Sequence, residues 1–221
     1  AEDLEGLFQQ YLGTLREDTA WLLSQFRLVD FVLRVVGVGS VGTRCYVLAF
    51  EGPQGEVLFL QAKEAQASVL TTYGKMPRII PGAAGGIDHT EGHRVVAGQR
   101  ILQAQSDPFI GHIVGWAGEK GDRPRVDYFW RQFRDMKGSI DLATLDGDQF
   151  TAYGELCGRL LARAHSQSPA AAAIAGYLGK GGRFDEAISD WSAGYADQCE
   201  ADYAALKAAI KSGRLPAETN A

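Results

Sequence analysis

The sequence predicts an α+β fold: an antiparallel sheet of about five strands with helices on one side and a helical C-terminal portion. Three observations point there. Short runs rich in Val, Leu, Phe and Tyr recur between Phe31 and Phe133, with Gly- and Pro-containing stretches among them. Apolar residues at three- and four-residue steps occupy both ends of the chain. The composition, 46% hydrophobic and 22% charged over 221 residues, suits one ordinary domain or a compact domain with helical extensions.

The elements follow in order. Leu4, Leu7, Phe8, Tyr11, Leu12 and Leu15 mark one face of an amphipathic helix, expected to continue through Trp21, Leu22 and Phe26. A strand is expected from Phe31 to Val38, running into a glycine-rich loop. Cys45–Phe50 reads as a second strand, Gly52–Gly55 as a tight turn, and Glu56–Lys63 as a third strand, giving an antiparallel meander over about 30–63. Tyr73–His89, with two prolines and four glycines, is a loop. A helix is expected over about Thr90–Gln105, burying Val95, Ile101 and Leu102. Phe109–Trp116 and Val126–Phe133 are two more strands, joined by a hydrophilic loop, and Arg134–Leu145 is a polar connector. Phe150, Tyr153, Cys157, Leu160, Leu161 and Ala164 predict a helix ending near His165, and Phe184 to Ile210 a last long one. This divides the chain into an N-terminal helical segment (1–29), a central sheet-bearing lobe (30–145) and a helical C-terminal portion (146–221).

Charge and cysteine usage exclude several classes. A net charge of −5 gives the chain no overall attraction to nucleic acid or anionic lipid, so neither a nucleic acid nor a membrane is an expected partner. Apolar runs stay well short of the ~20 residues of a membrane span. Cys45, Cys157 and Cys199 are too far apart for a zinc or disulfide framework and point to a reducing, cytoplasmic setting.

The chemistry concentrates in Arg-Val-Val-Gly-Val-Gly-Ser-Val-Gly-Thr-Arg-Cys-Tyr, where Gly37, Gly39 and Gly42 stand as G-x-G-x-x-G. A dinucleotide-binding loop must open a helix at once, so that the pyrophosphate sits on the helix N-terminus. The residues after Gly42 are β-prone and meet a turn at Gly52, which leaves no room for that helix. A strand–loop–strand reading fits better. In kinase-like folds such a loop covers the phosphates with backbone N–H groups, and glycine allows the close approach. A lysine on the third strand then reaches the α- and β-phosphates, oriented by an acidic residue on the next helix. Gly37, Gly39, Ser40 and Gly42 are the candidate cradle, Lys63 the candidate cation and Glu91 its candidate partner, with ATP and Mg as the implied cofactors. The plain alternative is a structural glycine hairpin with a solvated lysine at a strand end.

Six collinear segments then carry a resemblance: Val-Val-Gly-Val-Gly-Ser-Val-Gly-Thr-Arg, Leu-Phe-Leu-Gln-Ala-Lys-Glu-Ala, Gly-Gln-Arg-Ile-Leu-Gln, Arg-Asp-Met-Lys-Gly-Ser, Leu-Ala-Arg-Ala-His and Tyr-Ala-Asp-Gln. From about Phe31 to about Leu215 the chain resembles an uncharacterised bacterial family, domain of unknown function 2252. The resemblance implies longer members whose extra N-terminal part carries G-D-x-H-x-x-N and D-F-D-like segments. Those segments resemble the catalytic loop and metal-binding Asp of aminoglycoside-phosphotransferase-like kinases. It therefore implies the nucleotide-binding portion of a phosphotransferase, with a nucleotide and a missing N-terminal half as partners and no catalysis by this chain alone. Here no G-D-x-H-x-x-N or H-R-D occurs, and the stretch after His165 is Ser-Gln-Ser-Pro-Ala-Ala-Ala-Ala, without acid or base. A non-catalytic binding or assembly module is the alternative.

Other constellations have simpler readings. His89 and His93 have helical i, i+4 spacing, but a glycine interrupts them and no third ligand is near in sequence, so no metal site is expected. His165 suits a helix C-terminus. Arg131, Arg134, Asp135 and Lys137 follow the fifth strand, where a phosphate contact and a solvated connector are both open readings.

Overall fold

The computed structural model describes residues 2–34, 42–77, 90–116, 124–134 and 138–217, with the side chains of residues 2–4 excepted. The chain divides into two compact units, Ala1–Gln167 and Ser168–Ala221. The first holds α1 (Glu2–Leu12), α2 (Glu17–Leu23), β1 (Arg27–Leu33), β2 (Cys45–Glu51), β3 (Val57–Glu64), α3 (Val69–Thr72), α4 (Glu91–Leu102), β4 (Gly111–Trp116), β5 (Arg125–Gln132) and α5 (Gly147–Ser166). The second holds α6 (Ala171–Leu178) and α7 (Arg183–Lys211).

The five strands form one antiparallel sheet in the order β1-β2-β3-β5-β4. The β2–β3 turn is fixed by Gly55 at φ +83°, a left-handed conformation that glycine reaches without steric cost. β-Branched and aromatic residues suit the pleat, and their two-residue alternation divides the sheet into two faces. Leu48, Phe50, Leu60, Ala62, Ile113, Tyr128 and Trp130 share one face and meet Phe8, Tyr11 and Leu23 from α1 and α2. Tyr11 and Trp130 approach to 4.6 Å between ring centroids, Phe8 and Phe50 to 5.0 Å. Burial of side chains of this size stabilises the unit by roughly 1.5–3 kcal/mol each.

The helices flank both faces rather than one. α4 lies on the face opposite α1, where Gly92 comes so close to β4 and β5 that a Cβ there would sit 2.5 Å from the Tyr128 carbonyl and 3.0 Å from His112 Cβ. Four sequence expectations also need correction. The first helix does not run on to Phe26: it stops at Leu12, where Gly13 disfavours helix and Thr14 Oγ donates to the Tyr11 carbonyl, and a second helix begins at Glu17. The first strand starts at Arg27, earlier than Phe31, and residues 35–38 of that expectation lie outside the described residues. α4 ends at Leu102, short of Gln105, and it buries Gly92 and Val96 while Ile101 and Leu102 are exposed. α6 forms in the alanine-rich stretch after His165, for which no element is expected above, because alanine carries the best intrinsic helix propensity.

Candidate functional site

The connection with the glycine pattern joins adjacent antiparallel strands. Arg34 N–H donates to the Cys45 carbonyl at 2.7 Å, and β2 begins at Cys45, three residues after Gly42. No helix follows Gly42, which removes the dinucleotide-binding alternative. Gly37, Gly39 and Ser40 lie outside the described residues; Gly42 is exposed at φ +81° with open space where a Cβ would stand. Its requirement for glycine is therefore a matter of backbone conformation rather than crowding.

Lys63 stands on β3, the middle strand of the sheet, half-buried and paired in register with Cys45 on one side and Phe129 on the other. This register sets Lys63 at the same end of the sheet as the glycine connection. Arg44 fastens that end. Its backbone N–H and its guanidinium both donate to one carboxylate oxygen of Glu64, at 3.1 and 2.9 Å. Leu58, Leu60 and Ala62 turn to the α1 side, so Gln61 and Lys63 turn to the α4 side. There the buried Gln61 amide donates to Cys45 Sγ at 3.1 Å.

Glu91 is the first residue of α4, on the same side of the sheet as Lys63. Its backbone N–H donates to Asp127 Oδ2 on β5, and the Thr90 hydroxyl accepts the His93 N–H. These two acceptors satisfy N–H groups that a helix start leaves unpaired. The Glu91 carboxylate receives the guanidinium of Arg94 one turn on, and Arg94 also donates to the Gln66 carbonyl. Lys63 itself enters no ion pair among the described residues. The structure thus brings Gly42, Lys63 and Glu91 to one end of the sheet, with Lys63 and Glu91 on its α4 side, and it couples Glu91 to Arg94 rather than to Lys63.

The family described as an uncharacterized protein conserved in bacteria, DUF2252, matches residues 1–209. The chain belongs to that family. No curated protein and no solved structure matches it.

Around the site, this DUF2252 chain holds groups that sequence reasoning passed over. Asp127 positions the start of α4, and only the β3–β5–β4 register reveals it. Arg94 was legible as an i, i+3 partner of Glu91. Tyr128 turns its ring to the α1 side of the sheet, donates its hydroxyl to the Trp116 carbonyl at 3.1 Å, and has its phenol pushed up to about 12, first by burial and then by Tyr46. Burial also pushes the Tyr11 phenol well above its ordinary range, with Asp107 adding to the effect. His93 faces His112 across 5.2 Å between ring centroids, while His89 lies outside the described residues. Among the described residues no group of three or more His, Cys, Asp or Glu converges as a metal site would require. Arg131 approaches Asp107 at 4.0 Å, Arg134 and His165 are exposed, and Asp135 and Lys137 lie outside the described residues. No described helix is long and apolar enough to cross a membrane.

Proposed function

We propose that residues 30–145 form the nucleotide-binding portion of a kinase-like phosphotransferase, with Mg-ATP as cofactor. One observation carries the reading: a half-buried lysine without an ion-pair partner among the described residues stands on the middle strand, in register with the strand that follows the glycine pattern. In that role Lys63 supplies a fixed positive charge to the phosphates, and the connection around Gly42 supplies backbone donors. Bound Mg-ATP would bring the transferable phosphoryl group and its metal. On this reading the catalytic acid would come from an N-terminal half with the G-D-x-H-x-x-N segment that the resemblance implies.

A second reading, a binding or assembly module that has lost phosphotransferase function, is favoured by the engagement of Glu91 with Arg94. Titration calorimetry with Mg-ATP tests both. Under the first reading Lys63→Ala weakens binding by roughly 1–3 kcal/mol, the scale of a charge-assisted hydrogen bond. Equal affinities of the two proteins would remove Lys63 from the site, and no binding by either would favour the second reading.

A further inference from the structure

We infer that β1 is an interface strand that pairs antiparallel with β1 of a second copy of this chain, joining two five-stranded sheets across a two-fold axis at Val32. The inference stands apart from nucleotide binding and starts from a contrast between the two edges of the sheet.

An edge strand presents a row of unpaired backbone groups, and proteins normally blunt it. The β4 edge is blunted. Gln10 Oε1 accepts the Val114 N–H at 2.6 Å, and Thr14 Oγ accepts the His112 N–H at 3.0 Å. Gln10 of α1 and Thr14 just beyond it thus cap two outward N–H groups of β4. The opposite edge, β1, has no such helix among the described residues. It reads Arg-Leu-Val-Asp-Phe-Val-Leu, with neither lysine nor proline to disfavour pairing. Val29, Phe31, Val32 and Leu33 are 44%, 48%, 60% and 57% exposed.

The backbone selects which residues can pair. Arg34 N–H donates to the Cys45 carbonyl, so Arg34, Val32 and Asp30 turn their hydrogen-bonding groups toward β2. Phe31 and Leu33 turn theirs outward. The Phe31 N–H meets only the carboxylate of its neighbour Asp30, at 2.8 Å, a local contact that an incoming strand can replace. Two identical strands that exchange bonds through Phe31 and Leu33 pair about a residue of the strand itself.

Charge then selects the axis. An axis at Asp30 would set Asp30 against Asp30, which is repulsive, and one at Phe31 would set Asp30 against Val32. An axis at Val32 sets Asp30 against Arg34 twice, Phe31 against Leu33 twice, and Val32 against itself. Opposite charges and apolar pairs directly across an antiparallel ladder are the favourable cross-strand combinations. The result is isologous, as a closed two-fold dimer requires. Arg34 is exposed, and its guanidinium, which rests over the Phe133 ring 5.0 Å from its centroid, leaves that contact to meet Asp30 of the second copy.

The test is a charge swap read by analytical ultracentrifugation of the 221-residue chain across a concentration series. The unaltered chain sediments as a reversible monomer–dimer system. Asp30→Arg alone and Arg34→Asp alone each weaken dimerisation by about tenfold or more, since each replaces two attractive contacts by two repulsive ones. The double variant Asp30→Arg/Arg34→Asp restores the dimer. Independently, Val32→Cys in a Cys157→Ser/Cys199→Ser background forms a disulfide-linked dimer on mild oxidation, because a pair on the axis brings the two thiols together; this readout leaves both charges in place should a reversal impair folding. A chain that stays monomeric throughout, a dimer indifferent to both reversals, a double variant as weak as the singles, or a Val32→Cys chain that does not cross-link would each overturn the inference.

Discussion

Among single residues, Lys63 and Tyr128 show how one register can serve both a site and a core. The ladders that set Lys63 beside Cys45 and Tyr128 opposite Ile113 turn Lys63 to the α4 side and Tyr128 into the α1-side core. Lys63 is half-buried without an ion-pair partner among the described residues, a place the proposed phosphate contact would fill. Tyr128 is neutral by necessity, since an ionised phenol there would lose both hydration and its bond to the Trp116 carbonyl. Its folded-state pKa of about 12 exceeds the ordinary value of 10.0, so the stability tied to its neutral form is fully present below pH 10 and is lost as pH rises toward 12. Tyr11, raised by burial, acts in the same direction. The urea midpoint is therefore expected to fall across that window, and Tyr128→Phe to flatten part of the fall. A midpoint unchanged up to pH 12 would contradict the assignment. Glu91 marks the limit of residue-level reading. Its place at the head of a helix was legible, but its choice of Arg94 over Lys63 depends on where α4 docks, which a linear pattern does not contain.

At the level of elements, strands were legible because glycine and proline punctuate them and because β2, β3 and β5 place alternate residues on a shared buried face. The helices were less so. A break at Gly13 and Thr14 looks like one more turn of an amphipathic pattern until the next helix is seen to start afresh at Glu17. In α4 the buried residues are Gly92 and Val96, because the helix meets the sheet along this i, i+4 row, and an apolar count favours Ile101 and Leu102 instead. Two glycines of α4 make a paired prediction. Gly92→Ala pushes a methyl into the Tyr128 carbonyl and should cost about 1–3 kcal/mol, the usual range for overpacking. Gly98→Ala enters open space and should stabilise by up to ~1 kcal/mol through helix propensity. Thermal unfolding of both variants decides it; equal effects would mean that α4 does not approach the sheet through Gly92.

For the whole chain, the proposed nucleotide binding is separable from turnover. Phosphoryl transfer needs carboxylates that keep the metal on the phosphates and a group that positions the acceptor. The first unit offers cationic and backbone donors at the Lys63 end of the sheet. Its acidic residues there are already committed: Glu64 to Arg44, Glu91 to Arg94, and Asp127 to the start of α4. The second unit carries acidic side chains along α7, at Asp185, Glu186, Asp190, Asp197, Glu200 and Asp202, and none falls in a motif of phosphotransferase type. The 221-residue chain is therefore expected to bind Mg-ATP without releasing ADP. The measurement is ADP formation by the purified chain over a time course long enough to detect a few turnovers per molecule, with Lys63→Ala in parallel. Release at the same rate in both proteins would indicate a contaminating activity. Release by the unaltered chain that disappears in Lys63→Ala would sink the expectation, because it would place the catalytic acid within this sequence and make the committed carboxylates, Glu91 and Asp127 first, the residues to substitute next.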